Sequence, residues 1–199
     1  MTASSPQSSQ CVGFLTVCEY ESQGLFGGYL VLNTSGRPLE FHCTAPVKPN
    51  RAQEILYGAT LQAYLHGEQI GQALLEKAKT APLVVFTDAP AVLTVRNFTS
   101  LPVACVMPTA EEVPPDRSGP AGRLRRDEGC LSPPPPFALR LHTFQVGRER
   151  LSILQDHRGD AQTIQERWEP LAADFDLREP FGRIREAVDE ARRSATRAP

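Results

Sequence analysis

The chain has 199 residues, 41% hydrophobic and 22% charged, with 21 Lys+Arg against 23 Asp+Glu and a formal net charge of −2. That length suits one domain of ordinary size with appendages. The charge balance gives no global attraction to nucleic acid, and the mean hydropathy of −0.29 fits a soluble chain. No apolar run approaches the roughly 20 residues that a membrane helix needs, so neither membrane nor nucleic acid is an expected partner.

Residues 1–10 hold only Met, Thr, Ala, Ser, Pro and Gln. They lack the basic start and apolar centre of a secretory signal and read as a disordered tail. The five cysteines, Cys11, Cys18, Cys43, Cys105 and Cys130, form no C-x-x-C pair, which argues against a zinc ribbon or a thioredoxin-type redox pair. A reducing cytoplasm is the expected location, where the sequons at Asn33 and Asn97 carry no glycan. Only Lys48, Lys77 and Lys79 are lysines. The arginines are spread along the chain, which fits a compositional bias better than a phosphate-binding patch.

A β-rich block opens at Cys11. Val12, Phe14, Leu15 and Val17 have the composition of a core strand. After the glycines Gly24, Gly27 and Gly28 comes a second strand at Tyr29-Leu30-Val31-Leu32. The turn over Asn33–Pro38, with Gly36 free to take positive φ, returns a third strand over Leu39–Thr44. Pro46 and Pro49 end the sheet segment. Asn50 with Gln53 has the spacing of a capping box. Ile55, Leu56, Ala59, Ala63, Ile70, Ala73 and Leu74 follow at helical spacing, broken by Gly58 and Gly67 into two helices. Leu83-Val84-Val85-Phe86 reads as a strand buried on both faces. Asp88-Ala89-Pro90 opens a short helix or turn, and Pro102–Val106 is a fifth strand.

Residues 107–136 carry eight of the 18 prolines and read as a mostly disordered linker or insertion, stiffened by polyproline II at Pro133–Pro136. Beyond them, Phe137–Leu154 alternates loosely and supplies one or two further strands. Asp160 caps a helix holding Ile164, Trp168 and Leu171. Asp176 opens an amphipathic helix whose stripe is Phe181, Ile184, Val188 and Ala191. The expected organisation is a tail at 1–10, an α/β core at 11–106, the proline-rich segment at 107–136, and a strand-plus-helix segment at 137–199 packing on the core. The expected fold is α/β, a mixed sheet of about five strands with the antiparallel strands first, then helical crossovers, then C-terminal helices.

That element order resembles the ribonuclease H-like fold, whose members include nucleases such as endonuclease V. The resemblance implies two-metal phosphoryl hydrolysis, which needs several carboxylates at one site to neutralise two Mg²⁺ ions. It implies acids in mid first strand, on the first helix and after the fourth strand. Asp88 and Glu54 match the last two positions. The middle of the first strand reads Phe14-Leu15-Thr16-Val17-Cys18, with Glu19 and Glu21 only at its end.

Other motifs are weaker. Asp88 stands where ligands collect in open α/β sheets, or serves as the N-cap of the segment at Ala89-Pro90. His42-Cys43 suggests a thiol nucleophile with His42 or His66 as base, yet strand neighbours point to opposite faces. His66, Glu68, Glu76, His142 and His157 lack metal-ligand spacing. Gly24-Leu25-Phe26-Gly27-Gly28 lies between strands, where a hairpin or bulge explains it. The Arg123-Leu124-Arg125-Arg126 cluster has Asp127 and Glu128 beside it and reads as a solvated loop. The stripe Phe181, Ile184 and Val188 packs on the sheet or docks on a partner. Two functions follow. The first is a non-catalytic module, without cofactor, binding a protein partner or another copy of itself, with that stripe as its interaction residues. The second is a divergent ribonuclease H-like hydrolase of nucleic acid using Asp88, Glu54 and Glu19 with Mg²⁺.

Overall fold

The computed structural model describes residues 10–21, 23–108, 139–172 and 175–197. Residues 1–9 of the tail expected at 1–10, and residues 109–136 of the proline-rich segment expected at 107–136 with its basic cluster, tetraproline and Cys130, lie outside the described residues.

The strands are β1 (Cys11–Tyr20), β2 (Gly24–Asn33), β3 (Pro38–Cys43), β4 (Val85–Thr87), β5 (Val103–Val106), β6 (Leu141–Val146) and β7 (Glu149–Leu154). They form one sheet in the order β3-β2-β1-β4-β5-β7-β6. β1, β4 and β5 run parallel, while β2 and β3 at one end and β7 and β6 at the other add antiparallel pairs. The fold is therefore a mixed α/β sheet, with seven strands where about five were expected. The difference arises because residues beyond 137 join the same sheet, β7 pairing with β5 through Cys105↔Ser152 and Val106↔Leu151.

The turn after β2 is built as its residues dictate. Gly36 has φ +73°, and the Asn33 side-chain oxygen accepts from the amides of Ser35 (3.0 Å) and Arg37 (2.9 Å), an Asx-type turn. Asn50 caps α1 (Arg51–Tyr57) in a reciprocal capping box with Gln53, which satisfies amides the first turn cannot. α1 stops at Gly58, whose φ of +47° no ordinary side chain favours. Gly67 does not break the next helical run, against expectation. That run comprises α2 (Leu61–Ala63), a π-helical stretch (Tyr64–Gln72) and α3 (Ala73–Lys77). Gly67 instead lets Thr94 approach, since a Cβ there would lie 1.9 Å from Thr94 Oγ1. The Thr94 hydroxyl reaches the Ala63 carbonyl at 2.9 Å, joining this run to the 3₁₀ segment Pro90–Asn97.

Helices cover both faces. On one, α4 (Asp160–Ala172) and α5 (Glu179–Arg197) place Ile164, Trp168, Phe181, Ile184 and Val188 against Val12, Phe14, Leu30 and Phe86. On the other, Leu65, Ile70, Leu74, Val92 and Val95 meet Leu15, Tyr29, Val31, Val85 and Cys105. Alternate residues of each central strand thus enter different cores, which explains their unbroken apolar sequences.

Two adjacent glycines of β2 admit the two helical layers. A Cβ at Gly27 would lie 2.1 Å from Ile70 Cγ2, and one at Gly28 would lie 2.2 Å from Ile184 Cγ2. Their role is close helix approach on opposite faces, with only Gly24 (φ +97°) serving the turn. Asp176 stands just ahead of α5, its carboxylate accepting from the amides of Arg178 (2.8 Å) and Glu179 (3.4 Å) in an Asx-type turn that leads into the helix. Asp160 does not act as an expected cap. Its carboxylate takes Arg96 Nε at 2.6 Å and Nη2 at 3.2 Å, tying α4 to the 3₁₀ segment of the β4–β5 crossover.

Candidate functional site

Asp88 follows β4 and points to the α4/α5 face. Its Oδ1 accepts from Thr16 Oγ1 at 2.6 Å, and its Oδ2 pairs with Arg185 of α5. The 3₁₀ segment is entered from Ala89 with no side-chain cap, so the N-cap reading of Asp88 is corrected: its partners lie in β1 and α5, not in the next turn. Asp88, Val106, Arg178, Phe181 and Arg185 line a cleft of about 160 Å³. Arg178 is held there by the Met107 carbonyl (2.7 Å) and Glu149 (3.3 Å).

The acids of the hydrolase alternative are not brought together. Glu19 is exposed and sits at a β1 position whose side chain faces the other side of the sheet from Thr16; its charge acts on His66 in the opposite helical layer. Glu54 lies on α1, paired with Arg51 at 2.9 Å. Thr16 holds the mid-strand position, and Arg185 already neutralises Asp88. Among the described residues no group of three or more His, Cys, Asp or Glu side chains is placed to hold a metal ion. This donor set does not fit a magnesium pair, which needs converging anions.

The thiol reading also fails on geometry. Cys43 stands opposite Gly28 and His42 opposite Tyr29, on different faces. His42 Nε2 lies 2.5 Å from Glu40 Oε1. Glu40 also accepts from the amides of Lys79 (2.9 Å) and Thr80 (3.0 Å), the anchor between β3 and the end of α3. Chiefly through His42, with those amides helping against partial burial, the Glu40 carboxyl is lowered from 4.5 to about 2. A carboxylate with a depressed folded pKa adds stability above its unfolded pKa, and that stability fades as pH falls through the folded value. Glu40→Gln is thus expected to destabilise the chain at pH 7, the difference shrinking from pH 4.5 downward and vanishing near pH 2. Melting temperatures of both proteins across that range check it. Burial raises the thiols of Cys11, Cys18 and Cys105, the last to about 12, which keeps them protonated and unreactive.

A second cavity, about 420 Å³, is lined by Gln62, Ala63, His66, Pro90, Leu139 and Leu141, among others. Burial lowers the His66 pKa, while the Glu19 charge opposes that shift. Its Nδ1 is buried without a hydrogen-bond partner.

The interaction residues expected on α5 are core residues. Phe181, Ile184 and Val188 are 2%, 0% and 1% exposed, because Gly28 lets the helix settle directly on β1 and β2. The accessible apolar surface lies elsewhere. Leu39 and Phe41 on the outermost strand β3 are 46% and 38% exposed, and Ile55 and Leu56 project from α1. Sequence reasoning missed both, although Leu39, Phe41 and Cys43 alternate with Glu40 and His42 and carry the signal of a two-faced strand.

No protein-family model matches the chain, and no curated protein is significantly similar to it. Among solved structures, the crystal structure of human ENDOV is similar over 52% of this chain and 47% of that one, with 18% identity and a TM-score of 0.31. The chain spans about half the length of that neighbour. A likeness this loose assigns neither activity nor site. No helix among the described residues is long and apolar enough to cross a membrane.

Proposed function

We propose that the chain is a non-catalytic interaction module of the cytoplasm that engages a protein through the open side of its sheet. The observation that carries this reading is β3: an edge strand presenting Leu39 and Phe41 to solvent, of the kind that pairs with another chain. The dispersal of Asp88, Glu54 and Glu19, with Asp88 engaged by Arg185 and Thr16, supports it against the hydrolase alternative. The described cysteines are all free, in keeping with a reducing compartment.

Calorimetric titration with Mg²⁺ and Mn²⁺ tests the reading. No heat beyond dilution is expected for the wild type or for Asp88→Asn. Saturable binding that Asp88→Asn abolishes would overturn the reading in favour of a metal-dependent hydrolase.

A further inference from the structure

β3 is the last strand on its side of the sheet. The Thr44 amide donates inward to the Gly27 carbonyl at 3.0 Å. In an antiparallel ladder successive residues alternate between inward and outward hydrogen bonding. His42 and Glu40 therefore bond toward β2, while the amides and carbonyls of Phe41 and Cys43 point away from the sheet. The side chains divide as well. Phe41 and Cys43 stand on the α5 face, opposite Leu30 and Gly28, and Glu40 and His42 on the other, opposite Val31 and Tyr29.

Resting on the interaction reading above, we propose that the occupant of this edge is a second copy of the chain, its β3 pairing antiparallel about a two-fold axis at Phe41. A two-fold interface must be self-complementary, and this strand is so in one register. β3 pairs regularly with β2 from Glu40 to Cys43, Leu39 standing in a bulge where the register shifts between Val31 and Leu32; with Phe41 facing Phe41 of the second copy, Glu40 faces His42 twice. Across the joint Glu40 comes opposite the second copy's imidazole while keeping its own contacts. Its side chain, 12% exposed, is held by His42 at 2.5 Å and by the Lys79 and Thr80 amides, so the added imidazole shares a carboxylate that is already paired. Outward bonding by odd-numbered residues allows only register shifts that keep odd opposite odd. The neighbouring shift one way sets Glu40 against Glu40, and the other sets His42 against His42 and leaves Glu40 against Thr44. Like charges directly opposed destabilise a strand pair and opposite charges stabilise it, so charge selects the register centred on Phe41. Pro38 and Pro46 flank the pairing stretch and bar its extension, which holds the new ladder short and the assembly closed at two copies.

The test is sedimentation equilibrium of the full chain across micromolar to millimolar concentration. A monomer–dimer equilibrium is expected. Phe41→Lys, which places two ammonium groups at the axis, should weaken it by about a hundredfold, with the circular dichroism spectrum unchanged and the melting temperature losing its dependence on protein concentration. In a Cys43→Ser background, Phe41→Cys should oxidise to a covalent dimer, since facing hydrogen-bonded residues have Cα atoms about 5.5 Å apart, within disulfide reach. A wild type that stays monomeric throughout, a dimer indifferent to Phe41→Lys, or crosslinking through Ile55→Cys in place of Phe41→Cys would each overturn the proposal. Metal titration is independent of these readouts. A monomeric chain that binds no Mg²⁺ refutes β3 self-pairing while the non-catalytic reading stands.

Discussion

Trp168→Ala is expected to cost about 3–5 kcal/mol of unfolding free energy, the range for removing a large buried aromatic side chain. Trp168 is 1% exposed and meets Phe86 edge-on at 5.2 Å and Phe175 at 5.4 Å. Phe86 belongs to β4, the middle strand of the sheet, and Phe175 stacks on Phe14 of β1 at 5.8 Å. One indole therefore links α4 to two central strands. Small neighbours are not at hand to collapse into the void, because the surrounding rings hold each other in place. Trp168 is the chain's single tryptophan, so urea unfolding is followed by circular dichroism and not by fluorescence. A loss below about 1 kcal/mol, within the scatter of surface substitutions, would mean that α4 does not dock on β4.

Gly28→Val should cost about 3 kcal/mol, at the upper end for overpacking. Its first added carbon falls 2.2 Å from Ile184 Cγ2 and 3.0 Å from Val188 Cγ2, both on α5, so the helix must lift from β2 along its buried stripe. The obstruction is local and has a specific remedy. Ile184→Ala alone costs about 2–5 kcal/mol by leaving a cavity, and combined with Gly28→Val that cavity receives the valine. Chemical denaturation of the two single variants and the double variant should show strong coupling, the double being closer to Ile184→Ala than to the sum. Simple additivity would contradict the direct seating of α5 on Gly28.

The strand–turn–strand of β2 and β3 was legible because its determinants are neighbours: Asn33, Gly36 and Pro38 act within one turn. The same holds for the Asn50–Gln53 cap and for β4, whose apolar run reports burial on both faces. Asp88 was not legible, since a capping acid and a paired one look alike until Arg185, 97 positions away, is brought beside it. Asp160 was misread for the same reason, its partner Arg96 lying 64 positions back. An apolar stripe such as Phe181, Ile184 and Val188 states that a face will be covered and not what covers it. Gly27 and Gly28 look like turn residues because a close approach from another element leaves no trace beside a glycine. The π-helical stretch at Tyr64–Gln72 contradicts the helical period by which its residues were read.

The joint between β5 and β7 is the shortest ladder in the sheet, made by Cys105↔Ser152 and Val106↔Leu151 with the Met107 amide reaching Arg150 at 2.9 Å. Lateral cohesion is thin there. Side chains supplement it: Ile164 and Trp168 of α4 share a core with Val146, Ile153 and Phe86, and Arg178 joins the Met107 carbonyl to Glu149, much as a splice plate bridges two boards. Amide hydrogen exchange is accordingly expected to be faster in β6 and β7 than in β1 and β4, while α4 stays held to the central strands through Trp168 and Phe86.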